Sequence, residues 1–483
     1  MTETTNLYID GEWVPAEDGS TFAVENPADT TETVNEYAKG STEDAEKAIA
    51  AASEAQGEWE AMPAPDRGAI LRETGQILEE RKEDLTELLS REEGKTLSEA
   101  GGEVQRAIDI FYYYASKAAD NAGKRKGPSG ARTSVYTKRE PLGVAGLITP
   151  WNYPIAIPAW KIAPALATGN SIVIKPASAA PGPAGGIVRA LEDAGLPDGV
   201  INFVPGSGSD VGAELTSNDG IDAVSFTGSS EVGHHVYDAA TDNMARAQAE
   251  MGGKNPTIIT DSADVEEAVD IVGAGAFGVT GQACTACSRA IVHTDVYDEF
   301  VEGIVEYAES IDIGPGVEDP GMGPHVTQSE LESTLEYVDV AANEGATHET
   351  GGERLDGDEY DDGYYVTPAV FSDVERDMRI FQEEVFGPVL AVTEVDDFEA
   401  AIEASNDSDF GLSSSVVTDD LNEAHEFIER TEAGVAKVNE KTTGLELHVP
   451  FGGKKDSSTN TYREQGDAGL DFFTEIKTVY LNT

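Results

Sequence analysis

Apolar and polar positions alternate along this chain in two repeated rhythms. From Val144 onward, apolar runs at 144–148, 171–174, 200–204 and 223–226 start 23 to 29 residues apart, with helical stretches between them. That spacing predicts β-α-β units on a parallel sheet, whose strand ends are the natural seat of a dinucleotide or phosphate group. A second such region begins near Asn255, with strands at 257–260, 290–293, 387–393, 412–416 and 434–438 and helices at 264–280 and 295–311. Ahead of both, 7–14 reads as a strand turned at Asp10-Gly11, and 20–37 as extended structure around Asn26-Pro27. Thr42 is expected to cap a helix running to about Trp59, and amphipathic helices follow at 64–93 and 96–121. The run Ile110-Phe-Tyr-Tyr-Tyr114 on the last of these reads mainly as core. Residues 123–140, glycine-rich and then alternating, predict a protruding β-hairpin, and 476–481 a final strand; such edges can pair with another subunit.

Composition narrows the partners. Of 483 residues 39% are hydrophobic, enough for the cores of two or three domains. Against 32 Lys and Arg stand 91 Asp and Glu, a formal net charge of −59. The carboxylates are spread along helices and loops, as in proteins of extreme halophiles, where molar salt screens the self-repulsion. Such a surface argues against nucleic acid and anionic membranes as partners. The longest apolar zone, 144–174, is broken by Pro150, Asn152, Pro154, Pro158, Lys161 and Pro164, unlike a membrane helix. The first residues lack a basic and apolar signal, so a cytoplasmic location is expected.

Candidate chemistry concentrates between Phe277 and Arg289, a stretch holding the only two cysteines, Cys284 and Cys287. Two cysteines build no disulfide framework. With no second C-x-x-C or H-x3-5-H pair among seven histidines, no metal site is expected. A buried cysteine is ordinarily inert. Here, however, small residues and a Gly-Gln step before Cys284 suit a loop entering a helix, where backbone N–H groups favour a thiolate and an oxyanion. Cys284 therefore reads as a nucleophile. Phe226-Thr-Gly228-Ser229 follows a strand and opens a helix that can receive a phosphate. The string from Gly206 to Gly212 has one residue too many for a dinucleotide fingerprint. The acidic loop 350–363 lacks the ligand spacing of a calcium site, and His234 and His235 read as surface residues.

Taken together and in order, motifs over nearly the whole chain resemble the aldehyde dehydrogenase superfamily. Thr149-Pro-Trp151-Asn152-Tyr-Pro is similar to the segment whose asparagine helps bind the oxyanion, and Ile174-Lys175-Pro-Ala-Ser178 to the strand end beside the adenosine ribose. Phe226-Thr-Gly228-Ser229 resembles the turn beside the pyrophosphate. Glu250-Met-Gly-Gly-Lys resembles the general-base motif and Gly281-Gln-Ala-Cys284 the nucleophile motif, at the family spacing. Glu383-Glu384-Val-Phe386-Gly-Pro resembles the segment holding the nicotinamide ribose, and Pro450-Phe-Gly-Gly closes the set.

The resemblance implies an α/β fold: a Rossmann-like parallel-sheet cofactor domain (1–120 and 142–252), a second α/β catalytic domain (253–455) and a β-hairpin oligomerisation arm (121–141 and 456–483) of a homodimer or homotetramer. It implies NADP or NAD as cofactor, with Cys284, Glu250 and Asn152 catalytic and Trp151, Lys175, Ser178, Gly228, Ser229, Glu384 and Phe386 on the cofactor. The reaction implied is oxidation of an aldehyde to an acid through a thiohemiacetal and a thioester. A CoA-acylating enzyme normally lacks the glutamate base, and intact Cys284, Glu250 and Asn152 argue against a silent binding protein.

Two positions depart from the usual pattern. Val279 replaces a polar residue, and Ser178 stands where strictly NAD-dependent members usually carry glutamate. The C-terminal run from Thr442 to Gly453, continuing through Arg463-Glu-Gln-Gly466 to Tyr480, looks most like the branch acting on 2-oxoglutarate semialdehyde. Succinate-semialdehyde and broad-range dehydrogenases are the alternatives, but Trp160 and Val279 occupy the places of the arginines that often hold succinate semialdehyde. Arg106 is left as the candidate substrate clamp, with an i,i+3 ion pair to Glu103 as the rival reading of the same side chain.

Overall fold

The apolar runs from Val144 onward do form a parallel sheet. Strands Val144–Ile148, Ser171–Lys175, Ile201–Phe203 and Ala223–Thr227 are buried at every position. They take the order Arg246–Glu250, Ala223–Thr227, Val144–Ile148, Ser171–Lys175, Ile201–Phe203, and the early hairpin Leu7–Ile9 and Glu12–Val14 extends the last edge antiparallel. These findings come from a computed structural model that describes residues 4–120, 122–357 and 360–482. Residues 1–3 of the start, Asn121 at the end of the expected helix 96–121, and Asp358-Glu359 of the expected acidic loop lie outside the described residues.

The strand Arg246–Glu250 has no counterpart among the expected elements. Its sequence, Arg-Ala-Gln-Ala-Glu, carries polar side chains onto a mostly buried strand, whose backbone edge is covered by distant chain: the Ala247 carbonyl accepts from Thr461 Oγ1 and the Ala249 N–H donates to Thr459 Oγ1. A hydrophobic-run criterion cannot find such a strand.

The second region forms its own sheet, ordered Thr347–Thr350, Ala369–Ser372, Val389–Val395, Cys287–His293, Asn255–Ile259, Ser413–Val417, Val435–Val438, parallel except at Thr347–Thr350. A third sheet places Thr133–Pro141 between Thr474–Asn482 and Arg125–Lys126, all antiparallel. Just before it, helix Gly466–Phe472 packs back against the first sheet and its helices, with Leu470, Phe472 and Phe473 in the same core as Phe111, Tyr114 and Leu147. The architecture is thus α/β, with two mostly parallel sheets and an antiparallel arm.

Local expectations shift in three places. The helix 64–93 is two helices, Ala64–Glu80 and Lys82–Glu93, broken at Arg81 (φ −100°, ψ 10°); both pack on helix Leu97–Lys117, and no Gly or Pro marks the break. Ser41, not Thr42, caps helix Thr42–Ala61, completing a capping box with Asp44. The helix 264–280 ends at Phe277, capped by Asp264 at its start, and gives way to a tight turn at Gly278–Gly281.

Candidate active site

That tight turn decides where Cys284 sits. Val279 and Thr280 both adopt left-handed backbone angles (φ 54° and 55°), a costly state for β-branched residues that throws the chain sharply back. Gly281 follows, also at positive φ (65°), packed against the backbone of Gly387 where a side chain has no room. The loop carrying Cys284 is then pinned from three sides. Asn255 Nδ2 donates to the carbonyls of Cys284 and Ala286, both at 2.8 Å; Asn152 Nδ2 donates to Gln282 O at 3.0 Å; and Val326 N–H donates to Gln282 Oε1 at 3.0 Å.

Cys284 does not lie at a helix start, as the sequence suggested: strand Cys287–His293 follows it. The backbone N–H of Cys284 does favour the thiolate, as expected, but it is outweighed. Burial, then the carboxylates of Glu384, Glu250 and Glu464, push its thiol up to about 12. Cys287 faces inward near Thr257 Oγ1 (3.3 Å), in the core beneath the sheet.

Glu250 ends strand Arg246–Glu250 and is 1% exposed, not a surface carboxylate. Its oxygens accept from Gly453 N–H and Ser458 Oγ, each at 2.9 Å. Burial, then the Glu464 carboxylate, raise its proton affinity to about 8. Glu464 in turn is ion-paired with Lys161, whose Nζ also donates to Ser225 Oγ at 2.8 Å. Sequence reasoning missed this buried pair; only the partners of Glu250, far along the chain, reveal it.

Asn152 is held through its backbone as well. Lys95 Nζ donates to Asn152 O at 2.7 Å and to Glu103 at 2.7 Å, while Glu103 accepts the N–H groups of Ile155 and Ala156, both at 3.0 Å. Glu103 is therefore committed to Lys95 and to the start of helix Ala156–Thr168, which removes the expected alternative of an Arg106–Glu103 pair. Arg106 donates to the carbonyl of Leu445 and has no carboxylate partner among the described residues.

Two cavities meet at Cys284. One is lined by Trp151, Asn152, Gly228, Ser229, Glu384 and Phe386; the other, mostly apolar, by Arg106, Tyr153, Trp160, Val279, Phe451 and Gln465. In the first, the Trp151 and Phe386 rings meet edge-on at 5.4 Å, and Glu384 accepts Gly253 N–H at 2.8 Å, with burial raising its proton affinity to about 7. Gly228 N–H bonds Glu250 O at 3.2 Å, tying the turn to the strand that ends in Glu250. Lys175 and Ser178 lie apart from that cavity, at the end of the neighbouring strand: Lys175 is buried, which pulls its ammonium down to about 8, and Ser178 is exposed. His234 and His235 are exposed on helix Ser230–Asp242, the surface positions expected of them.

Comparisons with known proteins agree with this geometry. The model of the aldehyde dehydrogenase family matches residues 13–479. The chain is 60% identical to the alpha-ketoglutarate semialdehyde dehydrogenase of Haloferax volcanii, over 99% of each chain, and 43% identical to the 2,5-dioxopentanoate dehydrogenase of Saccharolobus solfataricus, over 94% of this chain and 95% of the relative. Its fold is similar to that of betaine aldehyde dehydrogenase from Staphylococcus aureus, solved in complex with NAD+, with a TM-score of 0.96, 37% identity and coverage of 99% of this chain and 95% of that one. With a family match across nearly its whole length, a shared fold, and a buried glutamate beside a cysteine where two cavities join, the chain belongs to the aldehyde dehydrogenase family.

Proposed function

We propose that this enzyme oxidises 2-oxoglutarate semialdehyde (2,5-dioxopentanoate) to 2-oxoglutarate with NAD or NADP. The observation that carries the chemistry is Cys284 at the junction of the two cavities, close enough to Glu250 to feel its charge. An aldehyde reaching Cys284 meets a thiol, so the sulfur must lose its proton as the new bond forms. That proton leaves to solvent, so Glu250 is kept for the release step. The oxyanion of the thiohemiacetal is met by the Cys284 backbone N–H and by Asn152 Nδ2, which keeps one N–H after serving Gln282 O. A nicotinamide dinucleotide, when bound, supplies the acceptor for the hydride leaving that carbon. What remains on Cys284 is a thioester. Glu250 then takes a proton from the attacking water, and the acid departs as the thiol re-forms.

The chain's own residues fit such a cofactor. No side chain caps the start of helix Ser230–Asp242, leaving its first N–H groups for a phosphate, and Thr227 Oγ1 is buried without a partner on the same cavity. Ser178 offers a donor and Lys175 a charge near the strand end, with no carboxylate at position 178 to repel a 2′-phosphate, which supports NADP alongside NAD.

The substrate reading rests on the relatives named for this semialdehyde and on Arg106, a cation on the tunnel wall without a carboxylate of its own. Catalytic efficiency should be compared on 2-oxoglutarate semialdehyde, succinate semialdehyde and uncharged aldehydes, in molar KCl, with each dinucleotide and with or without CoA. The semialdehyde of 2-oxoglutarate is expected to lead with both dinucleotides, CoA to change nothing, and Arg106→Met to lower kcat/KM for it by about tenfold or more, the worth of a charged hydrogen bond. A preference for uncharged aldehydes rejects the substrate; unchanged selectivity in Arg106→Met rejects the clamp alone.

Exposed Ile476, Tyr480 and Leu481 on strand Thr474–Asn482, with Tyr136 beside them, support a homodimer or homotetramer built through this sheet. A native mass of one chain by light scattering would reject it. Two free cysteines support a cytoplasmic location, and no helix among the described residues is long and apolar enough to cross a membrane. Recovery of the protein from the secreted fraction would reject that location.

A further inference from the structure

The tunnel wall holds two hydrogen-bond donors that the chemistry above leaves idle. Gln465 Nε2 and Trp160 Nε1 are both buried and have no partner among the described residues, and both residues line the cavity that ends at Cys284. A buried polar group left unpaired costs about 1–3 kcal/mol, and buried indole and amide N–H groups normally find an acceptor. Retaining two such costs on a ligand tunnel points to a ligand that removes them. The backbone at Gln465 adds a separate observation. Its angles, φ 61° and ψ 171°, fall in a region essentially reserved for glycine, so the fold bears strain where this amide joins the wall. Trp160 is held beside Phe451, with ring centroids 6.1 Å apart.

We infer that Gln465 and Trp160 read the 2-oxo group of the substrate. The inference rests on the substrate reading above and deepens it. With its aldehyde at Cys284, 2,5-dioxopentanoate directs its other end, a ketone beside a carboxylate, along the tunnel. Arg106 is the only cation among the residues lining that cavity and suits the carboxylate, which any acid semialdehyde offers equally. The ketone is neutral and accepts hydrogen bonds, and neutral N–H donors suit it. The soft terminal torsion of a glutamine lets its amide turn toward a ligand without disturbing the strained backbone. An analogue lacking the ketone leaves both donors unpaired, which is how a tunnel of this kind discriminates against a missing polar group.

The test compares 2,5-dioxopentanoate with 5-oxopentanoate, which has the same length and the same carboxylate but no ketone. The wild type should favour the dioxo acid in kcat/KM by about tenfold or more. Gln465→Leu and Trp160→Phe should each pull that ratio toward one, while 5-oxopentanoate stays preferred over pentanal. Because the ratio is taken within one preparation, a variant that folds poorly still reports it. If the wild type favours the dioxo acid and both variants keep its ratio, the inference falls and the substrate reading stands. If the wild type prefers pentanal to both acids, the two fall together.

Discussion

Cys284→Ala will oxidise no aldehyde at a measurable rate, a loss of at least about four orders of magnitude, while dinucleotide binding followed by calorimetry stays close to wild type. The sulfur does its work only once an aldehyde has arrived, and the cavity proposed for the cofactor is lined also by Trp151, Gly228, Ser229, Glu384 and Phe386. Cys287→Ala should keep most activity, because that sulfur is buried in the core under its own strand. A dead Cys287 variant, or an active Cys284 variant, would show that the nucleophile is wrongly assigned.

The second large effect is on the release step. Glu250→Gln should still transfer one hydride, giving a burst of reduced cofactor on rapid mixing, and then stall, with steady-state turnover down by about 10²–10⁴-fold, the usual contribution of a general base. In the wild type the base must be unprotonated to act. Burial and the Glu464 carboxylate hold its proton to about 8, so turnover should climb with pH through that range instead of levelling off above the ordinary carboxylate range. Full turnover in Glu250→Gln, or a flat profile between pH 6 and 9 in the wild type, would remove Glu250 from the role.

What could be read from the sequence divides by physical cause. The parallel strands were legible because strands buried on both faces must be apolar along their length, and the motifs placed Cys284, Glu250 and Asn152 in order along the chain. The strand that bears Glu250 was not legible, since Arg246, Gln248 and Glu250 look like surface until distant chain covers them: Gly453 and Ser458 bond the Glu250 carboxylate, and the carbonyls of Phe472 and Thr474 take the Arg246 guanidinium. The state of the Cys284 thiol was misread for a similar reason. A loop suggests helix dipoles, whereas the structure supplies burial and three carboxylates. Glu103 shows the limit of helix spacing as an argument: Arg106 stands one turn away on helix Leu97–Lys117, yet Lys95, reaching in from before that helix, takes the carboxylate.

An acyl group carried by Cys284 is the intermediate through which the whole reaction must pass. Glu250→Gln, mixed with 2-oxoglutarate semialdehyde and dinucleotide, quenched in acid and digested, should yield a peptide spanning Phe277 to Arg289 with a 2-oxoglutaryl thioester on Cys284 and an unmodified Cys287, as read by mass spectrometry. Reduced cofactor formed with no adduct on that peptide, or an adduct on Cys287, would contradict it.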